Sequence, residues 1–328
     1  MYFSKTFTMY KTFSFNRSPL FFLLAFFLIS GNLSAQKSPG LKGRITITGA
    51  FALYPMAVKW AEEFRKIHPG VKIDISAGGA GKGMTDVISK VVDIGMVSRD
   101  IYPEETKKGA YAFSVTKDAV VPTISVKNPK LPEIMAKGLK KDIAMQLWIT
   151  GSVKTLQQAF GIKTTIPVRV YTRSDACGAA ESWAKYFGKK QEDLLGVGVF
   201  GDPGLAQAVG KDPLGIGFNN ICYVYDLKTR QPYPGMKVLP LDLNNNGKVD
   251  ADENFYGSMD KVIAAISSGK YPSPPARELY FVTSGKPMSK VLVEFIRWIL
   301  TDGQKYVNST GFIKLPDEML KEELKKLK

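Results

Sequence analysis

Twelve residues, DLNNNGKVDADE from Asp242 to Glu253, set oxygen-bearing side chains at alternating places. Asp242, Asn244 and Asn246 stand first, third and fifth, and Gly247 stands sixth, where a chain wrapping an ion must turn sharply. Lys248 offers its backbone carbonyl, Asp250 acts through a water, and Glu253 binds through both oxygens. Oxygen-only donors suit a hard cation, so the pattern predicts one structural calcium ion, with a plain polar loop as the alternative. A second stretch, SAGGAGKGM from Ser76 to Met84, pairs glycines with one lysine. It fails the phosphate loop of nucleotide hydrolases, because Gly83 follows Gly81-Lys82 where a hydroxyl residue is required. The dinucleotide pattern fails too, since Gly79, Gly81 and Gly83 are spaced by two. What survives is a glycine turn at a helix start, whose free N–H groups and dipole favour an anion.

The elements that must position these residues follow from periodicity. RITITG (Arg44 to Gly49) alternates as a strand, and Met56, Trp60, Phe64 and Ile67 then fall on one helical face. VKIDIS is a second strand, Met84, Val87, Ile88 and Val91 form a second helical stripe, and VDIGMVS is a third strand. This β-α-β-α-β run predicts an α/β fold with a parallel sheet, whose ligands bind outside the carboxyl ends of the strands. The glycine turn lies there. DAVVPTISVKNP, IPVRVYTRSD and LGIGFNNICYVYD continue as strands, and GAAESWAKYFG and SMDKVIAAISSGKYP as helices. RELYFVTSG is a further strand, and SKVLVEFIRWILTDGQKYVNSTG reads as one closing amphipathic helix. The oxygen loop resembles the EF-hand calcium loop at every ligand position. Pro232, Pro234 and Pro240 prevent the usual entering helix, which makes it a lone structural clip of weak affinity, roughly 10⁻⁴–10⁻³ M.

The order and spacing of ITGAFALYPMAVKWAEEF, SAGGAGKGMTDVISKVVDIGMVSRD, RSDACGAAESWAKYFG and GIGFNN resemble the phosphate-binding proteins of ABC-type phosphate importers. The resemblance implies a two-lobed, type II periplasmic binding-protein fold with mixed sheets flanked by helices. It implies a first lobe from residues 36–121, a second from 122–276 that carries the 242–253 loop, and a return segment from 277–328. It also implies a small anion, phosphate or a related oxyanion, held between lobes that close by hinge motion, and delivery to an ABC transporter permease. The implied ligand positions are Leu53, Tyr54, Ala80, Gly81, Ser98, Arg99, Arg173, Asp175, Cys177, Gly178 and Ala179. Arg173 is the expected main charged contact. Hydroxyl residues of the family pattern are replaced by Leu53, Ala80, Cys177 and Ala179, and its acceptor carboxylate by Ser98. Asp175 and Glu181 stand near the turn, able to pair with Arg173 or to meet a cationic part of another ligand.

The 328-residue chain carries a formal charge of +15. Lys5, Lys11 and Arg17 precede an apolar run from Leu20 to Ile29, and Ala35 closes a polar stretch. That layout predicts an export signal over residues 1–35, with an uncleaved anchor as the alternative. Its removal takes three basic and no acidic residues, leaving +12, in a periplasmic or secreted protein. No aromatic-basic interleaving of the kind that reads nucleic acid is visible, and a monomer is expected. Cys177 and Cys222 are the two cysteines, free to pair after export or to stay apart. With His68 as the single histidine, no nucleophile has an evident histidine partner, so a binding protein is expected rather than an enzyme. The remaining alternatives are the same fold with another small anion or carboxylate, and a calcium-stabilised surface interaction protein.

Overall fold

The computed structural model describes residues 40–328, and the expected export signal lies outside the described residues. The chain begins with β1 (Lys42–Gly49), whose alternation buries Ile45 and Ile47. A short turn leads to α1 (Tyr54–Ile67), then β2 (Gly70–Ala77), α2 (Ala80–Ile88) and β3 (Ile94–Val97). β2 and β3 lie parallel to β1 on its two sides, as the β-α-β pattern requires. A five-residue helix, α3 (Pro103–Lys107), precedes the long strand β4 (Ala110–Ser125).

The second half adds α4 (Leu131–Lys137), β5 (Leu139–Lys140), α5 (Lys141–Met145) and α6 (Leu156–Phe160). It continues with β6 (Arg169–Arg173), α7 (Gly178–Tyr186), β7 (Val197–Val199), α8 (Asp202–Lys211) and β8 (Gly215–Asn220). β9 (Met236–Val238), β10 (Leu241–Asp242) and α9 (Met259–Ser267) follow. The chain then returns along β11 (Ala276–Ser284) and ends with α10 (Lys290–Leu300) and α11 (Asp317–Lys325).

β4 joins the two halves. From Ala110 to Ala119 it pairs antiparallel with β11, and from Val120 to Ile124 with β8. The result is one curled, mixed sheet in the order β2-β1-β3-β11-β4-β8-β6-β7, with β9 also on β4. Two cores flank it. One holds Trp60, Phe64, Phe281 and Phe295, the other Trp148, Trp183 and Phe218. Each contains aromatic pairs, Trp60–Phe281 edge to face and Trp183–Phe218 stacked, both with centroids 5.8 Å apart.

Three expectations change. The stripes of α1 and α2 each lose their last member, because Ile67 ends its helix and Val91 lies past the end of its own, and both are exposed. α2 begins at Ala80, before the first residue of the expected stripe, Met84. The closing helix stops at Leu300, where Thr301 leaves helical geometry. The Trp60 indole donates to the Gly303 carbonyl at 2.9 Å, fixing a tighter 3-10 turn, Asp302–Tyr306, against the core.

The glycine stretch is first a packing device. A side chain at Gly83 would meet the Met96 carbonyl oxygen at 2.7 Å and the Gly49 Cα at 2.8 Å, so glycine lets α2 lie directly on β1 and β3. Gly83→Ala must push the helix off the sheet and is expected to cost about 1–3 kcal/mol of stability, measurable by urea unfolding.

Candidate functional site

The carboxyl ends of two sets of parallel strands meet across one cleft. From the first set come the turn before α1 (Ala50 to Tyr54), the turn before α2 (Gly78 to Gly81), and Ser98-Arg99 after β3. From the second come Arg173 to Gly178 after β6, Phe200 to Asp202 after β7, and Asn219-Asn220 at the end of β8. The contact between them is close. The Gly81 N–H donates to the Ala176 carbonyl at 3.3 Å, and a side chain at Gly178 would lie 2.0 Å from the Ser98 carbonyl oxygen. The Phe51 and Phe200 rings meet edge to face at 6.0 Å, and the Tyr223 hydroxyl donates to the Phe51 carbonyl at 3.0 Å.

Arg173 stands at the centre but is not free. Its side chain is fully buried. Nε and Nη2 donate to the two Asp175 oxygens at 2.8 and 2.6 Å, and Nη1 donates to Asp202 at 2.6 Å. Burial opposes its charge, but the carboxylates of Asp202 and Asp175 outweigh burial and hold the guanidinium protonated. Asp202, in the first turn of α8, also accepts from the Asn220 amide. Asn220 accepts from Arg277, which is paired with the fully buried Asp118 at 2.9 Å and donates to Ser182 at 2.9 Å and to the Gly178 carbonyl. Burial pushes the Asp118 carboxyl above its usual range, with Arg277 opposing the shift. One connected network thus runs from the β4–β11 crossing to the turn before α7, and its two arginines and three aspartates sum to one net negative charge.

Arg173, the expected main charged contact for an anion, thus carries Asp175 and Asp202 on three of its five N–H donors. Both terminal nitrogens of Arg99, another expected ligand position, grip Glu105, at 2.9 and 2.6 Å. Leu53 is buried in the first core and offers only backbone. Ala80, Ser98, Cys177, Gly178 and Ala179 are brought together as buried residues along the cleft, with Tyr54, Gly81 and Asp175 half-buried beside them. Lys82, the cation of the glycine stretch, pairs with Asp86, which Thr48 also holds. Gln191 braces the turn, accepting from the Cys177 N–H at 3.0 Å and donating to the Asp175 carbonyl at 2.7 Å.

Asp118, Asp202, Asn220 and Arg277 escaped sequence reading. Asp202 in GDPG looks like an ordinary helix start, and nothing local marks Asp118 or Arg277 as partners across 159 residues. The polar pair ending the apolar GIGFNN was the one available signal.

Cys177 and Cys222 are both free and buried. Burial pushes the Cys177 thiol up to about 12, so it sits as a neutral thiol, accepting from the Ala180 N–H at the start of α7.

The oxygen loop lies on the second half, started by β10, which pairs with β5. Asp242 and Glu253 are both buried. Asp242 accepts from the N–H groups of Asn246 at 3.1 Å and Gly247 at 2.8 Å, with Gly247 at φ +85°. Glu253 accepts from Leu243, Asn244 and Asp250. Asp250 takes the amide groups of Asn244 and Asn246 and pairs with Lys248 at 2.8 Å; that lysine first, then the two amides, holds its carboxyl down at about 2. Among the described residues, no three His, Cys, Asp or Glu side chains form a group that could hold a metal ion by themselves. The asparagine oxygens and the Lys248 carbonyl would have to complete any cation site here.

A family model for the PBP superfamily domain matches residues 34–303. The phosphate-binding protein PstS of Methanocaldococcus jannaschii is 26% identical, with 84% of each chain covered. That of Pseudomonas aeruginosa is 24% identical, with 89% of each chain covered. Among solved structures, a putative phosphate ABC transporter substrate-binding protein with bound phosphate from Clostridium perfringens superposes with a TM-score of 0.67 at 22% identity. It covers 84% of this chain and 100% of that one, and at this identity the likeness concerns the fold.

Removing Arg173 leaves two aspartates buried without their cation. Arg173→Ala is expected to lower folding stability by about 3–5 kcal/mol in denaturant titrations, with Asp202→Asn costing less because the Asp175 fork survives.

Proposed function

The chain belongs to the PBP superfamily, and from that premise we propose that it is an exported solute-binding protein that captures phosphate, or a related small oxyanion, for an ABC-type importer. The observation that carries the reading is the meeting of the N-termini of α2 and α7 across the cleft, where Gly81 reaches the Ala176 carbonyl at 3.3 Å. Both helices run nine residues, and each brings the positive end of a dipole to the cleft, with the Gly81 N–H held by Ala176 and the Ala180 N–H by Cys177. The relatives named as phosphate-binding proteins align over most of both chains and support the same ligand class. In this chain backbone amides are the principal donors, because the nearby hydroxyl positions hold alanine and cysteine. Arg173 acts as a fixed wall of the site. No bond of the ligand is made or broken. The protein closes on it, presents it to the permease and opens again.

The test is calorimetry of the mature chain with phosphate, arsenate, sulfate and small carboxylates. Phosphate is expected to bind, and Gly178→Ala, which wedges the turn against Ser98, to weaken it at least about tenfold. A panel in which a carboxylate or sulfate binds better than phosphate would assign a different ligand to the same fold. A panel in which nothing binds would remove the reading.

The oxygen loop supports a second, structural role: one calcium ion. Two buried carboxylates, Asp242 and Glu253, stand at its ends, and the Gly247 N–H is folded onto Asp242. With Asn244, Asn246, Asp250 and the Lys248 carbonyl, this donor set is all oxygen, as a hard cation requires. Bound there, the ion would offset three carboxylates and clip the loop to β10. Glu253→Gln is expected to weaken calcium binding at least about tenfold, read by calorimetry or terbium luminescence, and to leave phosphate binding unchanged. Equal calcium binding by variant and parent would remove the site.

A further inference from the structure

At the rim of the cleft, Arg99 and Glu105 hold one tyrosine in place. The Arg99 guanidinium lies 4.2 Å from the centroid of the Tyr102 ring, and Glu105, forked on Arg99, also accepts from the Tyr102 N–H at 2.9 Å. So braced, Tyr102 reaches across to α7, where its hydroxyl donates to Glu181 at 3.0 Å. Four residues on, Lys185 on the same helix pairs with Asp100. Arg99, Asp100 and Tyr102 follow β3 in the first half of the fold, whereas Glu181 and Lys185 belong to the helix whose first residue, Gly178, faces Ser98. Below these contacts a cavity of about 240 Å³ separates the two halves, lined by Arg99, Asp100, Glu181, Lys185, Arg277 and Tyr280.

We propose that Tyr102, braced by Arg99 and Glu105, is a clasp that closes the cleft by gripping Glu181. Arg99 is then a positioning residue that acts through Tyr102 and does not touch the anion. This inference rests on the anion-capture reading for its effect on affinity, but not for its effect on closure. The clasp has a hydrogen-bond donor on one side and an acceptor carboxylate on the other. It is built of protein alone, so it favours the closed form before an anion is bound. An anion then meets a larger closed fraction, and its apparent affinity rises by that fraction. Release requires the clasp to break, so its main imprint is on the dissociation rate.

The experiment compares the parent full chain with Tyr102→Phe, Arg99→Gln and the double variant. Phosphate is the probe, followed by stopped-flow dissociation and calorimetry, and small-angle scattering is recorded without phosphate. Tyr102→Phe is expected to speed phosphate dissociation roughly twofold to tenfold and to enlarge the radius of gyration of the phosphate-free protein. Arg99→Gln should do the same, and the double variant should be no worse than either alone. Glu105→Gln loosens the same brace and takes the place of Arg99→Gln should that variant fail to fold. Unchanged dissociation and scattering in Tyr102→Phe overturns the clasp. Costs of Arg99→Gln and Tyr102→Phe that add in full overturn the positioning role, because Arg99 would then act independently of Tyr102. Should the parent bind no phosphate, the phosphate arm falls away, and the scattering difference alone decides the clasp.

Discussion

The interaction on which the cleft depends is the fork of Arg173 between Asp175 and Asp202. A buried guanidinium costs several kcal/mol in lost hydration, and only well-placed carboxylates offset that cost. Asp175 stands two residues away on the same turn and takes the fork through both oxygens. Asp202 comes from the start of a different helix, so the pair fixes how α8 and the β6–α7 turn sit together. Shifting one partner leaves an uncompensated charge in a dry place, which is why this region of the cleft can have one arrangement and few others.

The same network reaches the crossing strands. Asn220 passes from Asp202 to Arg277, and Arg277 binds Asp118 on β4 and the Gly178 carbonyl at the head of α7. Asp118 and Arg277 face each other where β4 passes from pairing with β11 to pairing with β8. Arg277 thus ties the β4–β11 ladder to the head of α7 and to the end of β8, so the buried charges themselves link the two halves.

Much of this was legible in the sequence, for identifiable reasons. The alternation of RITITG and the spacing of Met56, Trp60 and Phe64 are local signals, and they gave the β-α-β order. The glycine turn and the oxygen loop were visible because their residue types are unusual at those spacings. The pairing of Arg173 with Asp175 was among the possibilities read from their neighbourhood. Asp118, Asp202, Asn220 and Arg277 were not legible, because ordinary polar residues far apart in the chain become partners only through the sheet order. The grip of Glu105 and Tyr102 on Arg99 was not read either, although both lie close by in sequence. The end of α10 was missed because Trp60, some 240 residues away, fixes the turn at Gly303.

Charge balance explains why closure matters so much here. The buried cluster carries one net negative charge, so it does not attract an anion. Attraction comes from the starts of α1, α2 and α7, each equivalent to about +0.5 of a charge and felt only within the first turn. Those partial charges are weak in water and strong when water is excluded. An open cleft of this composition would hold an anion poorly. Under the proposed reading, the approach of Gly81 to Ala176 and of Gly178 to Ser98 is what brings the two helix ends close enough to act together. In a site that relies on free arginine and hydroxyl groups, closure follows recognition. Under the proposed capture reading, recognition here depends on the closed form, and the residues that set the closed fraction govern affinity along with those that touch the ligand.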